Sequence, residues 1–406
     1  MKILQINKCH FVRGGADSVY FNISRLLESK GQEVIHFAMQ YAENEASSTS
    51  QFFAANNDFT QHSLMQNIIN SPSFFYNRDA AEKLNKLILA EKPDIAHLHL
   101  FYGSLTSSVL KVLKDHKIPV VISVHDYKFV CPAYLFLNGK NEICEKCKGK
   151  NYYHAVLNNC VKKNKVYSAF FAMECYYRDA FYPIHKMFKK IIFVGDFSQK
   201  IHFKYKPELQ TSSTYLYNFD PAIHSKKANS DKGSYFLYLG RLSREKGVHL
   251  LAHAFSELPG IHLKVAGTGE EMNALQEINA PNIELLGFVK GESLTSLIKN
   301  ASFVVVPSEC YENNPMAIVE SYTLGKPVIA ARIGGIPEIV VTGKTGFLFE
   351  SSNIEDLKQT VIKANTVTPE EYRTMSTEAE KFAHDNFHPD LYYEKRMKIY
   401  HEAIGT

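Results

Sequence analysis

Glu312 and Glu320 carry the clearest chemical signal, in the stretch Pro307-Ser-Glu-Cys-Tyr-Glu-Asn-Asn-Pro-Met-Ala-Ile-Val-Glu320. Seven residues separate them, and Pro315 stands where a helix would take a proline at its first position. Glu312 then precedes the helix and Glu320 lies about five residues in, roughly 7–8 Å along the axis. Two carboxylates so placed accept hydrogen bonds from vicinal hydroxyls, while the helix N-terminus between them favours an anion. A molecule with sugar hydroxyls, a diphosphate and ribose hydroxyls has that shape. Two glutamates on one helix are also common on a solvated face, so the spacing needs a second signal.

That signal lies in Tyr235-Phe-Leu-Tyr-Leu-Gly-Arg-Leu-Ser-Arg-Glu-Lys-Gly247, where Gly240, Arg241 and Lys246 follow an apolar strand pattern. A glycine lets a ligand approach the backbone, and two cations suit a diphosphate leaving group. Val265-Ala-Gly-Thr-Gly269 places Gly267 and Gly269 after another strand, but Met272 replaces the third glycine of the dinucleotide fingerprint. A nicotinamide dehydrogenase is therefore unsupported. Two more loops carry candidates: Gly14-Gly15 after the first strand, and His125-Asp126 after Val120-Val-Ile-Ser-Val124.

Cys131, Cys144, Cys147 and Cys160 fall within thirty residues with the spacing C-x12-C-x2-C-x12-C. The central pair can present two thiolates from one tight turn, and the outer pair completes a tetrahedron, so a structural zinc is expected. Free thiols or two disulfides are the alternatives. The same region is basic: residues 140–206 hold fourteen Lys/Arg and five Asp/Glu, interleaved with aromatics, in a chain of net charge +4. This points to an anionic membrane surface, to an acidic substrate, or to a lysine-rich face over an aromatic core. No nucleic-acid motif accompanies it.

The elements that must position these loops alternate almost from end to end. Ile3–Ile6, Val34–Phe37, Ile95–Leu98, Val120–Val124 and 191–194 read as strands with helices between, and Glu43–Ser50 as a mobile loop. After a linker at Asn218–Gly233, Tyr235–Leu239, His262–Ala266, Ile283–Leu286, Phe303–Val306 and Val328–Ala330 continue the series. The order predicts an α/β chain of two doubly wound domains with parallel sheets. Ligands in such sheets sit beyond the C-terminal ends of the strands, where the candidate loops lie.

The combination Gly14-Gly15, His125-Asp126, Gly240-Arg241 with Lys246-Gly247, Gly267-Thr-Gly269, Leu286-Gly287-Phe288, Glu312 with Glu320, and Gly334-Gly335-Ile-Pro-Glu338 resembles the retaining glycosyltransferases of family 4. The resemblance implies the GT-B architecture, two facing Rossmann-like domains with a cleft between them. It implies an acceptor-side domain over 1–217 with a cysteine-containing insertion at 126–165. A nucleotide-sugar domain over 218–387 follows, and a last helix within 388–406 returns to the first domain. Arg241 and Lys246 would bind the donor diphosphate, and Glu320 the ribose. Glu312, with the backbone of Asn313, Asn314, Pro315, Met316 and Ala317, would hold the donor sugar. Gly240, Gly267 and Gly269 would line the donor, Phe288 would pack near the base, and His125 would contact the reacting sugar. Gly14 and Gly15 would let the diphosphate approach. Ala16-Asp17 departs from the glutamate that many relatives carry there.

The implied reaction moves a sugar from a UDP- or GDP-linked donor, UDP preferred, to a hydroxyl of a glycan or lipid-linked saccharide with retention, as in cell-surface polysaccharide synthesis. It needs no cofactor for catalysis and no catalytic metal. A nucleotide-sugar 2-epimerase and a non-catalytic carbohydrate-binding protein are the rivals. The sequence has 406 residues, 45% of them hydrophobic, which suits two soluble domains. No apolar run reaches membrane-helix length and no secretion signal opens the chain, so a cytoplasmic location is expected, with contact at the inner membrane face.

Overall fold

A computed structural model describes residues 1–57, 71–223 and 228–405; residues 224–227 of the expected linker lie outside them. The chain divides into two compact units. Met1–Val194, Ser198–Leu216 and Tyr393–Thr406 form one, and Gly195–Phe197 with Tyr217–Tyr392 form the other.

The first unit carries β1 (Lys2–Ile6), β2 (Glu33–Phe37), β3 (Ile95–Leu98), β4 (Val120–Val124), β5 (Lys190–Phe193) and β6 (Ser213–Tyr215). Their spatial order is β2-β1-β3-β4-β5-β6, and every pairing is parallel. Every residue of β3 and β4 is buried, which is what helices on both faces of a parallel sheet require and why these strands read as apolar runs interrupted only by His97 and Ser123. Asn77 and Asn164 cap the helices Arg78–Glu91 and Lys165–Phe181 by accepting backbone N–H bonds. The stretch 43–50, expected to be mobile, is tied down: Thr49 Oγ1 donates to the His36 carbonyl at 2.7 Å, and Arg25 reaches Glu45 at 3.2 Å.

The second unit carries β7 (Tyr235–Leu239), β8 (Leu263–Ala266), β9 (Ile283–Gly287), β10 (Ala301–Val306), β11 (Val328–Ala331) and β12 (Gly346–Phe349). The order is β12-β11-β10-β7-β8-β9, again all parallel. Phe236, Phe303 and Tyr372 pack on one side of the sheet, and Ile318, Val319 and Tyr322 on the other. The short strands β6 and β12 escape the sequence pattern because each is an edge strand of three or four residues. The last helix, Pro389–Ile404, starts in the second unit and ends in the first.

Candidate functional site

The strand order reverses between β7 and β10, and in doubly wound sheets that switch point is where ligands bind. The loop after β7 carries Gly240, Arg241 and Lys246, and the loop after β10 carries Glu312. The fold thus brings together two segments that are remote in sequence. Lys246 Nζ lies 2.6 Å from Glu312 Oε1, and Ser308 Oγ donates to the same oxygen at 2.6 Å. Burial opposes charge on both groups, but their mutual attraction wins: the Lys246 pKa is raised and the Glu312 pKa is lowered, with Arg241 helping to lower Glu312. The pair is therefore ionised at neutral pH. Arg241 itself is exposed, and its guanidinium is 3.9 Å from Glu245.

Two glycines make the close approach of these loops feasible. A Cβ on Gly247, whose φ is +68°, would stand 1.9 Å from the Pro307 carbonyl oxygen, and one on Gly267 would stand 1.8 Å from that of Gly240. The Gly335 N–H donates to the Glu312 carbonyl at 2.7 Å, so the Gly-Gly-Ile-Pro-Glu loop braces the glutamate from behind. Glu338 in that loop accepts from the Asp196 N–H at 3.0 Å, from the Phe197 N–H, and from the Tyr217 hydroxyl at 3.3 Å. Asn314 is also engaged, accepting from the Asn218 N–H at 2.8 Å. Asn313 and Asn314 are buried. Pro315 stands one position ahead of the helix Met316–Thr323, and Met316, Ala317 and Glu320 are half-buried in that helix. Gly269 packs against Leu242, and Phe288, just past β9, is 71% exposed.

In the first unit the order reverses between β1 and β3. Gly14 precedes the helix Gly15–Ser29 in an extended conformation, and a Cβ there would meet nothing within 4 Å. Asp17, the departure from the family pattern, turns inward. Its buried carboxylate accepts from Asn7 Nδ2 at 2.9 Å and from the Arg13 N–H at 3.2 Å, bracing the glycine loop. His125 follows β4, half-buried, with Nε2 at 2.9 Å from His99 Nδ1. Burial holds His125 down to about 3 and lifts Asp126 to about 6.

All four insertion cysteines are free of disulfides. Among the described residues no group of three or more His, Cys, Asp or Glu side chains is arranged to hold a metal ion, so the zinc expectation rests on spacing alone. Part of the basic charge is internal. Lys128 and Arg178 both pair with Glu174, at 3.2 and 3.0 Å, and Lys206 pairs with Asp179 at 2.5 Å, all inside the unit. Lys146, Lys148, Lys150, Lys162, Lys163 and Lys165 are exposed.

Sequence reading missed Gln5, His97, His99, Arg396 and Tyr400, all buried and hydrogen-bonded near His125. The available signal was the pair of histidines alternating in an otherwise apolar strand. Polar groups are found inside only when partnered.

The comparisons agree with this geometry. The model described as Glycosyltransferase Family 4 matches residues 13–206, and that described as Glycosyl transferases group 1 matches residues 219–382. An uncharacterized glycosyltransferase of Methanocaldococcus jannaschii is 34% identical over 139 residues, which is 33% of this chain and 39% of that protein. The chain spans between 24% and 40% of the length of the curated relatives compared. Sucrose-phosphate synthase of Thermosynechococcus elongatus superposes over 100% of this chain and 99% of its own, with a TM-score of 0.71 and 15% identity. HepE of Anabaena, solved with UDP and glucose, covers 98% of both chains at 0.66 and 19% identity. The epimerase reading finds no support among these relatives. With two GT-B-type Rossmann-like domains and both models matched in chain order, the protein belongs to the glycosyltransferases of family 4.

Proposed function

We propose that the protein transfers a hexosyl or N-acetylhexosaminyl group from a nucleotide-sugar donor, UDP-linked by preference, to a hydroxyl of a glycan or lipid-linked saccharide. The ionised Lys246–Glu312 pair at the switch point carries this reading. Cleavage of the sugar–phosphate bond puts new negative charge on the leaving diphosphate. Lys246, Arg241 and the N-terminus of the helix Met316–Thr323 supply fixed positive charge for it, without a divalent ion in the step. Lys246 has three donors, so it can keep Glu312 and still reach a phosphate oxygen. Glu320 would hold the ribose, Glu312 and the backbone of Asn313 to Ala317 the donor sugar, and Phe288 the base. The acceptor hydroxyl attacks the anomeric carbon from the face the leaving group departs, so the configuration is retained. UDP as the nucleotide gains support from HepE, whose structure holds it.

Two further elements belong to the reading. Cys131, Cys144, Cys147 and Cys160 would bind a structural zinc that organises the insertion, and the exposed lysines near Tyr153, Leu157 and Phe181 would meet an anionic membrane surface. No helix among the described residues is long and apolar enough to cross a membrane. A thermal-shift screen of UDP- and GDP-sugars, followed by NMR of the product anomer, tests the core proposal. A ligand at a hundred times its Kd stabilises by about 2.7 kcal/mol. Binding by no nucleotide sugar, or an inverted product, would refute it.

A further inference from the structure

The two carboxylate oxygens of Glu312 have different surroundings. Ser308 Oγ donates to Oε1 at 2.6 Å, and Lys246 Nζ lies 2.6 Å from the same atom. An ionised carboxylate only accepts, and 2.6 Å is the span of a hydroxyl bonded to one. The other oxygen, Oε2, has no partner among the described residues and keeps an accessible surface. Glu312 therefore has one occupied oxygen and one open one.

Which oxygen is open depends on Ser308. The last torsion of a glutamate is broad, and an ammonium is a point charge with rotatable donors. Held by Lys246 alone, the carboxylate could turn about that torsion and exchange its oxygens. A second donor from a different direction removes that freedom, provided the donor is itself fixed. Ser308 is 1% exposed, and its carbonyl accepts from Ser351 Oγ at 3.0 Å. Its chain neighbours are pinned as well: the Pro307 carbonyl packs against Gly247, and the Glu309 N–H donates to the Glu245 carbonyl at 2.9 Å. All of these groups belong to the second unit.

We propose that Ser308 is a positioning residue: with Lys246 it fills Glu312 Oε1 and so presents Oε2 as the acceptor for one hydroxyl of the donor sugar. The inference rests on the reading of Glu312 as a residue that meets that sugar. It adds the class of group required, a hydrogen-bond donor at the sugar position facing Glu312. A site built to receive a hydroxyl discriminates against the analogue that lacks it, because its own charged group is left unpaired. Ser308 makes that discrimination sharp by removing the carboxylate's freedom to turn away from the sugar.

Isothermal titration of the full chain separates the sugar contact from the diphosphate contact. The probes are UDP, GDP, UDP-glucose, UDP-N-acetylglucosamine, GDP-mannose, and monodeoxy analogues of whichever nucleotide sugar binds wild type best. Ser308→Ala is expected to weaken that nucleotide sugar about tenfold or more while the Kd of its bare nucleotide stays within about twofold. One monodeoxy analogue is expected to bind wild type about tenfold worse than its parent, and the ratio to fall toward one in Ser308→Ala. Ser308→Cys, similar in size with a weaker donor, is expected to fall between, and it carries the comparison if the alanine variant is unstable. Equal weakening of nucleotide and nucleotide sugar, an unchanged Kd for both, or a deoxy penalty that survives in Ser308→Ala would overturn the inference. Carbon-13 spectra of the glutamate-labelled free protein, with Glu312 assigned by Glu312→Gln, test the array without a ligand. There Ser308→Ala is expected to raise the Glu312 pKa by about one unit, with Lys246, Arg241, Tyr238 and Cys310 still facing it. An unmoved Glu312 signal would overturn the inference whatever binds. If the signal moves but no nucleotide sugar binds wild type, Ser308 still positions Glu312 and the donor reading falls instead.

Discussion

Lys246 and Glu312 are 66 residues apart in sequence and 2.6 Å apart in space, each holding the other's charge against the cost of burial. Because the two groups act as a unit, neither can be removed without disturbing the other. That coupling shapes the first expectation.

Lys246→Ala and Glu312→Gln are each expected to lower kcat/KM about a hundredfold or more, equivalent to roughly 2–4 kcal/mol in barrier. The double variant should lose much less than the sum, since the partner of a missing residue is already displaced. Steady-state kinetics with the donor identified by the screen measures this. Full activity in Lys246→Ala with an unchanged fold would remove the assignment.

Glu320 is expected to act on binding rather than on the chemical step. Glu320→Ala should weaken UDP by about tenfold to a hundredfold, the worth of a charge-assisted hydrogen bond, with kcat changed little. Isothermal titration with UDP reads the first effect. An unchanged Kd would take the ribose role away from Glu320.

Stability should fall on the acid side. Burial holds His36 and His125 down to about 3 and His202 to about 4, and pushes His97 and His99 well below the usual range. The unfolded chain protonates these histidines near 6.5 while the folded chain does not, so their contribution is complete above about pH 6.5 and is lost as pH falls toward 3. Asp126, lifted to about 6, works in the opposite sense, favouring the fold below about pH 4 and losing that contribution as pH rises through 6. Glu28 and Glu338, also raised by burial, act with Asp126, but the histidines outnumber these carboxyls and the net is a decline as pH falls. The melting temperature is expected to drop steadily from pH 6.5 to 4, and a flat profile would contradict the burial of these histidines.

Membrane contact should depend on salt and charge. The protein is expected to sediment with vesicles containing anionic lipid at low ionic strength and to release as salt rises. Replacing Lys162, Lys163 and Lys165 by Gln should weaken this, while the paired internal cations Arg178 and Lys206 leave it to the exposed lysines. Equal binding to neutral vesicles, or none to either kind, would favour a merely solvated face.

Metal analysis of the purified chain is expected to show about one zinc, lost in Cys144→Ser together with part of the thermal stability. A metal-free preparation with the same melting temperature, or a disulfide within residues 131–160, would rule the site out.

Much of this protein was settled by local pattern. Alternating β-branched runs and amphipathic helices dictate two parallel sheets, because strands buried on both faces must be largely apolar, as β4 and β10 are but for Ser123 and Ser302. Glycines and charges then collect in the loops after strands, which is why Gly240, Lys246, Glu312 and Glu320 stand out from residue type and spacing alone. Tertiary structure alone decided which of these meet. The reversal of strand order between β7 and β10 joins Lys246 to Glu312, and no sequence window of helix or strand length contains both. The same holds for Arg396 and His97, 299 residues apart. Their burial looks like an error in a local hydrophobic pattern until the pairing satisfies it. It was also packing that divided the basic residues of the first unit into a paired interior set, Lys128, Arg178 and Lys206, and a solvated one. Composition counts charge, but only the fold supplies Glu174 and Asp179 as buried partners.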